Sequence, residues 1–388
     1  MNIILPCACG VDVHEGMIEA CILSTTNDSV TAIRKQFSTF PEQLSQFVNW
    51  LYENDCYHIA MESTGVYWRP VYEAVERNSR YYENIIVGNA HHMKNVPGRK
   101  SDVKDAEWIA TLILHGLVQK SFVPNQTIRL LREAARTYKK FVGENNRYKN
   151  RIDKFLQTHG FKLSNVLSDI FCVTGRNILN ALAQRGSLTL DDITSCMCGS
   201  LKSSAQEIYS AMSISLTSLE CQLLKLLIDR LVQSEKDLAS IVDLMSEIAA
   251  PYKRQLEILD SIPGIDKVSS LLILAEIGNE PFKDFETAER LCSWAGVVPR
   301  NDESAGKIYS KNILNGNQHL KPVLTQVAWV AVKQRGTPFH YWFWTRQKRL
   351  GQKKAIIAVS RKILKLIFTL LQDNVTYDST IAMSNIKD

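Results

Sequence analysis

The stretch that decides the fold is residues 8–24, ACGVDVHEGMIEACILS. Residues 8–13 read as a strand, His14-Glu15-Gly16 as a tight turn and 17–24 as a second strand. Asp12 stands in the middle of the first strand. Side chains alternate across a strand, so Asp12 shares a face with Gly10, while Val11 and Val13 point the other way. A mid-strand carboxylate without a partner is costly, which marks Asp12 as a candidate functional group. Working outward, residues 30–38 (VTAIRKQFS) read as a third strand with alternating character, and 41–53 as a helix. Residues 57–62 (YHIAME) form a short buried strand ending in Ser63-Thr64-Gly65, followed by a helix over 67–78 and a strand over 84–88. Residues 102–117 predict a helix with Leu112, Leu114 and Leu117 on its apolar side. The order βββαβαβα predicts an α/β domain with a mixed sheet.

The chain has 388 residues, of which 45% are hydrophobic and 22% charged. That is enough apolar material for two or three globular domains, and it excludes a disordered or collagen-like chain. The expected divisions are 1–124, 125–250 and 251–375, with a tail over 376–388. No run approaches the roughly 18 apolar residues of a membrane span. The N-terminal MNIILPCACG lacks a basic flank, so a secretory signal is not expected and the predicted location is the cytoplasm, nucleoid-associated when acting. The nine cysteines are scattered, with two CxC pairs (Cys7/Cys9, Cys196/Cys198) instead of paired CxxC motifs, so reduced thiols are expected.

Net charge is +6, and its distribution is informative. Residues 1–120 are acidic on balance, whereas 121–160 hold nine Lys/Arg against Glu133, Glu144 and Asp153. From Ser304 to Gln372 there are thirteen Lys/Arg and no carboxylate. A folded segment without acids predicts a polyanionic partner, because cations that neutralise phosphates release counterions. The candidate nucleic-acid contacts are Arg132, Arg136, Lys139, Lys140, Arg147, Lys307, Lys311, Arg346, Lys348, Arg349, Lys353 and Lys354. Lys353, Lys354, Arg361, Lys362 and Lys365 ride on a final amphipathic helix over 353–371.

Leu131, Ala134, Tyr138, Phe141, Asn145, Tyr148, Ile152 and Phe155 recur at alternating steps of three and four, which is a heptad seam. A second seam runs through Leu224, Leu227, Leu231, Leu238, Ile241 and Met245, with Ser234 in one core slot. Two long helices flanking a helical insert predict either a coiled coil between chains or a hairpin packed within one chain. Residues 253–278 read as helix, turn, helix around Ile262-Pro263-Gly264-Ile265, either a helix–hairpin–helix that brings backbone N–H groups to a phosphate or a plain αα turn. In 339–349 (FHYWFWTRQKR) the aromatics either stack on bases or form core, with only the cations outside. His91-His92 is adjacent in sequence and is assigned no ligand role.

Four acids suit a metal site. Asp12 and Glu62 lie on strands, and Asp102 and Asp105, three apart, share one helix face. Each has a structural alternative, such as Asp102 capping the helix with Asp105 in its first turn. The element order resembles the ribonuclease-H-like fold, in which these groups converge. Oxygen ligands suit Mg²⁺, with two ions expected per site.

The residues resemble a known family, the IS110 (DEDD) insertion-sequence transposases, related to the Piv DNA invertases. The resemblance rests on GVDVHEGMIEACIL, MESTGVYW, KSDVKDAEWIA, RIDKFLQTHGFKLSNVLSDIFCVTGR, LDSIPGIDKVSSLLILAEIG, SWAGVVPRNDESAGK and GNQHLKPVLTQVAW, which span nearly the whole chain. Glu15 departs from the Lys usual after the His, and Asp266 from a second hairpin Gly. The resemblance implies a RuvC-like domain with a metal site at Asp12, Glu62, Asp102 and Asp105. It also implies a C-terminal domain with a nucleophilic serine, here Ser304 in Glu303-Ser304-Ala305-Gly306-Lys307. It further implies recombination of donor and target DNA guided by a bridge RNA, in a dimer of dimers, with no membrane partner. Two alternatives use the same residues differently: a Holliday-junction-type nuclease with water as nucleophile, and a non-enzymatic nucleic-acid scaffold.

Overall fold

The computed structural model describes residues 4–26, 29–63, 65–78, 80–81, 84–89, 93, 105–299, 302–304, 307–310, 313 and 315–378. The chain forms two compact units, Met1–Val123 and Pro124–Asp388.

The first unit carries the mixed sheet expected from the element order. Its strands are β1 (Cys7–Val13), β2 (Met17–Thr26), β3 (Ser29–Ser38), β4 (Ile59–Glu62) and β5 (Ile85–Gly88), in the order β3-β2-β1-β4-β5. The two hairpin connections pair antiparallel, while β1–β4 and β4–β5 pair parallel. Parallel neighbours need crossovers, supplied by α1 (Pro41–Glu53) and α2 (Trp68–Glu76). Helix α1 starts at a proline, whose missing N–H costs nothing there, and buries Leu44, Phe47, Val48 and Leu51 at helical spacing.

Strand alternation builds two cores. Cys9, Val11, Ile59, Met61, Ile85 and Val87 pack with Phe47 and Leu51 of α1 and Val71 and Val75 of α2. On the other face, Ala8, Cys21, Leu23 and Ala60 pack with Ala106, Ile109, Ala110 and Ile113 of α3 (Asp105–Leu114). Gly10 fixes how closely α3 lies on the sheet: a Cβ there would come within 2.1 Å of the Ala106 carbonyl oxygen and 2.2 Å of the Ala110 nitrogen.

Two expectations change here. The helix expected to reach residue 117 stops at Leu114, because Gly116 takes φ +66° and the N–H groups of Gly116 and Leu117 turn back to Ile113 and Leu112. Leu112 and Leu114 are buried as expected, but Leu117 is 41% exposed. Strand β3 does not bury alternate residues; it is an edge strand exposed almost throughout, Phe37 excepted.

The second unit begins with α4 (Gln126–Thr158), capped by Asn125, whose side chain accepts from the Ile128 N–H at 3.0 Å. It pairs with α9 (Ser218–Ile248), which begins with a reciprocal Thr217/Glu220 capping box. The pair is antiparallel and lies within one chain. Asn125 meets Tyr252, Asn145 meets Ser234 and His159 meets Glu220. The two seams face each other, burying Leu131, Ala134, Ile152 and Phe155 on one side and Leu224, Leu231 and Met245 on the other. The buried Asn145 amide donates to the Ser234 hydroxyl at 3.5 Å, a polar layer in an apolar seam.

Between the long helices, α5 (Leu163–Val166), α6 (Val173–Arg185), α7 (Leu190–Cys196) and α8 (Ala205–Met212) pack Ile178, Leu182, Ile193, Ile208 and Met212 into one core with Ile152 and Phe155 of α4 and Leu224 and Leu231 of α9. The remaining helices are α10 (Lys253–Asp260), α11 (Lys267–Ile277), α12 (Pro281–Phe285), α13 (Ala288–Ala295), α14 (Leu320–Ala331), α15 (Pro338–Leu350) and α16 (Gln352–Asp373). Helix α16 touches α10, α12, α13, α14 and α15, and buries Ile363, Leu364, Ile367 and Leu370 among them.

The turn between α10 and α11 makes its close approach inward. Gly264 has φ +92°, and a Cβ there would stand 2.6 Å from the Val327 carbonyl oxygen and 2.8 Å from the Ala331 nitrogen of α14. The following position is Asp266, whose carboxylate caps α11 by accepting from the Ser269 N–H at 2.8 Å. A negative charge at that helix start opposes an incoming phosphate, so the turn's glycine serves packing within the unit. Among the described residues, no helix is long and apolar enough to cross a membrane.

Candidate functional site

The acid-bearing face follows from strand parity. Ala8 and Ala60 pack toward α3, so Asp12 and Glu62 lie on that face as well. Asp105 opens α3 and is exposed at its first turn. Glu19 is paired in register with Asp12 and shares the parity of Cys21 and Leu23, which places a further acid on the same face. Burial pushes the Asp12 carboxyl above its usual value. His14, 3.2 Å away through Nε2, pulls it down, and the charges of Asp105, Glu62 and Glu19 push it up again. Asp102 lies outside the described residues. Among those described, no three His, Cys, Asp or Glu side chains stand close enough together to hold a metal ion. The donor set itself, carboxylate oxygens around a half-buried Asp12, fits a hard divalent cation.

At the rim of this face, Arg34 of β3 donates to Glu107 of α3 at 2.5 Å, and the Gln36 amide donates to Glu19 at 2.7 Å. The first contact ties the edge strand to the helix that carries Asp105, and the second ties it to β2.

Ser304 closes β6 (Asp302–Ser304), which pairs antiparallel with β7 (Lys307–Ser310) in the register Ser304↔Lys307. It is the last paired residue before the turn. A bridge between Pro299 and Ile313 ties the hairpin at its base. Of Ser304 and Lys307 only the backbone is described; Ala305, Gly306 and Lys311 lie outside the described residues, as do His91 and His92.

Three of the cations expected at a nucleic acid have partners inside the second unit. Arg132 donates to the carbonyl oxygens of Ala275 and Glu276 at 3.0 and 2.9 Å, at the end of α11. Arg136 grips the Glu276 carboxylate with Nε and Nη2 at 3.1 and 3.2 Å. Lys139 donates to the His319 carbonyl oxygen. Glu276 is 2% exposed, so its charge requires compensation. Burial pushes its carboxyl up, but the Arg136 hydrogen bonds, the Arg132 charge and the Asn317 amide at 2.7 Å outweigh that and hold it below the usual range. The charge reversal inside α11 explains why these cations follow a heptad flank yet face inward.

Lys140, Arg147, Lys348, Arg349, Lys353 and Lys354 are exposed. Arg346 lies over the Trp342 ring at 5.2 Å, Lys362 over its other approach at 5.4 Å, and Lys365 pairs with Glu289 at 2.5 Å. The aromatics of 339–349 divide: Phe339, Trp342 and Phe343 are core, whereas Tyr341 and Trp344 are 75% and 51% exposed. Neither all-stacking nor all-core holds, because helical spacing sends neighbours to opposite sides.

Sequence reasoning missed three features. Glu19 was legible in principle, since its parity follows from hairpin register. Glu276 sits in an apolar run, where a lone acid could have signalled a buried ion pair. The third is a cavity of about 770 Å³ lined by Arg136, Trp294, Asn315, Gln318, His319 and Lys321. It adjoins a groove of about 660 Å³ along α14 that shares Lys321 and Pro322 with it.

Two segments of the sequence match models of one class of DNA transposases. Residues 9–160 match a model described as a DEDD transposase of the IS110 type, and residues 256–342 match one described as the transposase IS116/IS110/IS902 family. The chain belongs to the IS110 family of transposases. It is similar to the pilin gene-inverting protein of Moraxella bovis, 27% identical over 157 residues, which are 39% of this chain and 47% of that protein. It is also similar to the insertion element IS110 protein of Streptomyces coelicolor, 26% identical over 125 residues, 31% of this chain and 30% of that protein. The chain thus spans less than half the length of these relatives. Among solved structures, T. thermophilus RuvC in complex with a Holliday junction substrate aligns with 30% of this chain and 100% of its own, at 12% identity and a TM-score of 0.22.

Proposed function

We propose that this protein is the transposase of an insertion sequence, a site-specific recombinase that cuts and exchanges DNA strands through a covalent serine–DNA ester. The observation that carries the reading is that strand parity puts Asp12 and Glu62 on the sheet face covered by the helix that Asp105 opens, with the charges of Glu62 and Asp105 both felt at Asp12, inside the segment matched by the DEDD transposase model. The strand order β3-β2-β1-β4-β5 supports a ribonuclease-H-like, RuvC-like assignment for this unit.

Asp12, Glu62, Asp102 and Asp105 are the residues that would hold Mg²⁺. When bound, such ions supply charge stabilisation at the attacking and leaving oxygens of phosphoryl transfer. The chain's own groups do the rest. Ser304, the last paired residue of its hairpin, would be the nucleophile: its Oγ forms a bond to phosphorus as the bond to the leaving deoxyribose oxygen breaks. The hydroxyl proton is lost and the leaving oxygen gains one. Because one phosphodiester replaces another, strand exchange needs no ATP. Lys307, opposite Ser304 in register, offsets phosphate charge. A bridge RNA that pairs with donor and target DNA, and assembly as a dimer of dimers in the cytoplasm, complete the proposal.

The test is a denaturing gel of protein and nicked donor DNA in the presence of guide RNA and Mg²⁺. The wild type is expected to yield a protein–DNA adduct and Ser304→Ala none. Adducts from the alanine variant would mean another nucleophile. Free 5′-phosphates without an adduct would favour the RuvC-like endonuclease with water as nucleophile.

A further inference from the structure

The two adjoining concavities on the second unit have no role in the chemistry above. The first, about 770 Å³, lies at the start of α14 and presents Arg136, Lys321 and the ring of Trp294. The second, about 660 Å³, continues along α14 and presents Lys321, Lys333 and the ring of Trp329. Lys321 and Pro322 line both, so the two adjoin. Helix α14 has twelve residues, so the surface along it runs roughly 18 Å at 1.5 Å per residue. No carboxylate is found among the described residues that line it.

The rings are held in place. Trp294 packs against Phe285 at 5.1 Å between centroids, and Trp329 meets Phe343 edge-on at 5.7 Å. The first-turn N–H groups of α14 are already used: Asn317 accepts from His319 and Leu320 through its side chain and from Lys321 through its carbonyl. Any anion in the groove is therefore met by side chains. Burial and then the Arg136 charge push the His319 imidazole below its ordinary value, against the pull of Glu276.

We infer that this surface along α14 binds a short single strand of DNA, with unpaired bases stacked on Trp294 and Trp329 and the backbone on Lys321 and Lys333. Two fixed rings flanking a row of cations suit a strand whose bases are unpaired, since a duplex hides its base faces. The inference rests on the reading that the chain handles DNA, and it adds which surface receives a strand once the duplex is opened.

The experiment uses the full-length protein with fluorescein-labelled oligo(dT) of six nucleotides, read by anisotropy over a salt series. A second arm photocrosslinks a 5-iodouracil oligonucleotide and maps the attached peptide. Crosslinks within 294–333 are expected. Trp329→Ala is expected to weaken binding roughly tenfold, and Trp329→Phe to restore most of it, since a phenyl ring keeps both stacking and packing. Lys333→Gln, an exposed position that does not threaten folding, is expected to lower the slope of log K against log salt by about 0.7. Oligo(U) is expected to bind no more tightly than oligo(dT). Crosslinks elsewhere, with Trp329→Ala and Lys333→Gln binding as the wild type does, would overturn the groove and leave the DNA reading standing. Tighter binding of oligo(U) would make the occupant RNA and overturn the assignment to DNA. No binding of any oligonucleotide or duplex would overturn the DNA reading itself.

Discussion

The buried carboxylate of Glu276 offers the sharpest physical test of the second unit. Glu276→Gln keeps its shape and removes its charge. The wild-type group accepts two hydrogen bonds from Arg136 and one from Asn317, with the Arg132 guanidinium 3.8 Å away. Breaking a buried ion pair by removing one partner costs about 3–5 kcal/mol. Here Arg136 is 41% exposed and regains water, and the new amide can still accept one bond, so about 2–3 kcal/mol is expected. For a unit of this size that corresponds to a fall in melting temperature of about 5–10 °C. The effect depends on pH with a defined sign. Glu276 is held below its usual range in the folded protein, so its stabilisation is present above the unfolded value and is lost as pH falls through the folded value. The gap between wild type and variant should be full near pH 7 and shrink below about pH 4. Urea unfolding at both pH values measures it, and Arg136→Met made in both backgrounds isolates the pair. A gap under about 0.5 kcal/mol at pH 7, or one that widens on acidification, would refute the argument.

Three further outcomes are expected. Gly10→Ala drives a methyl into the α3 backbone, so it should cost about 2–3 kcal/mol in urea unfolding and, by displacing Asp105 relative to Asp12, cut adduct formation about a hundredfold. Gly264→Ala combines a left-handed backbone with a 2.6 Å contact to Val327 and should destabilise the second unit by a similar amount without changing Mg²⁺ binding to the first. Mg²⁺ at ten times its Kd should stabilise the native state by about 1.4 kcal/mol in a thermal melt; an equal rise in Asp12→Asn would count against the acid face as its site.

Much of the fold was readable before the structure. The hairpin at 8–24 fixed the parity of Asp12, and parity carried over to Glu62 once β4 was placed beside β1. The heptad seams were readable because burial repeats at three and four residues, and both polar layer residues, Asn145 and Ser234, fell on them. What failed was anything that depends on partners distant in sequence. Charge spacing could not tell that Arg132 and Arg136 serve Glu276, some 140 residues away, and not a phosphate. Residue type could not tell that Gly264 admits a neighbouring helix instead of a ligand. Leu117 was misread because the periodicity survives past Leu114 while Gly116 has already turned the backbone.

The long antiparallel helices have a mechanical consequence. At 33 and 31 residues they reach roughly 45–50 Å. Their roots meet where Asn125 contacts Tyr252 and Asn279, and the insert over 163–212 rides at the far tip, its core shared with the ends of both helices. Such a boom moves its load by about 4 Å for five degrees of swing at the root. Trimming the tip to a short loop should therefore leave the C-terminal bundle standing, while altering only what the chain can grasp at a distance.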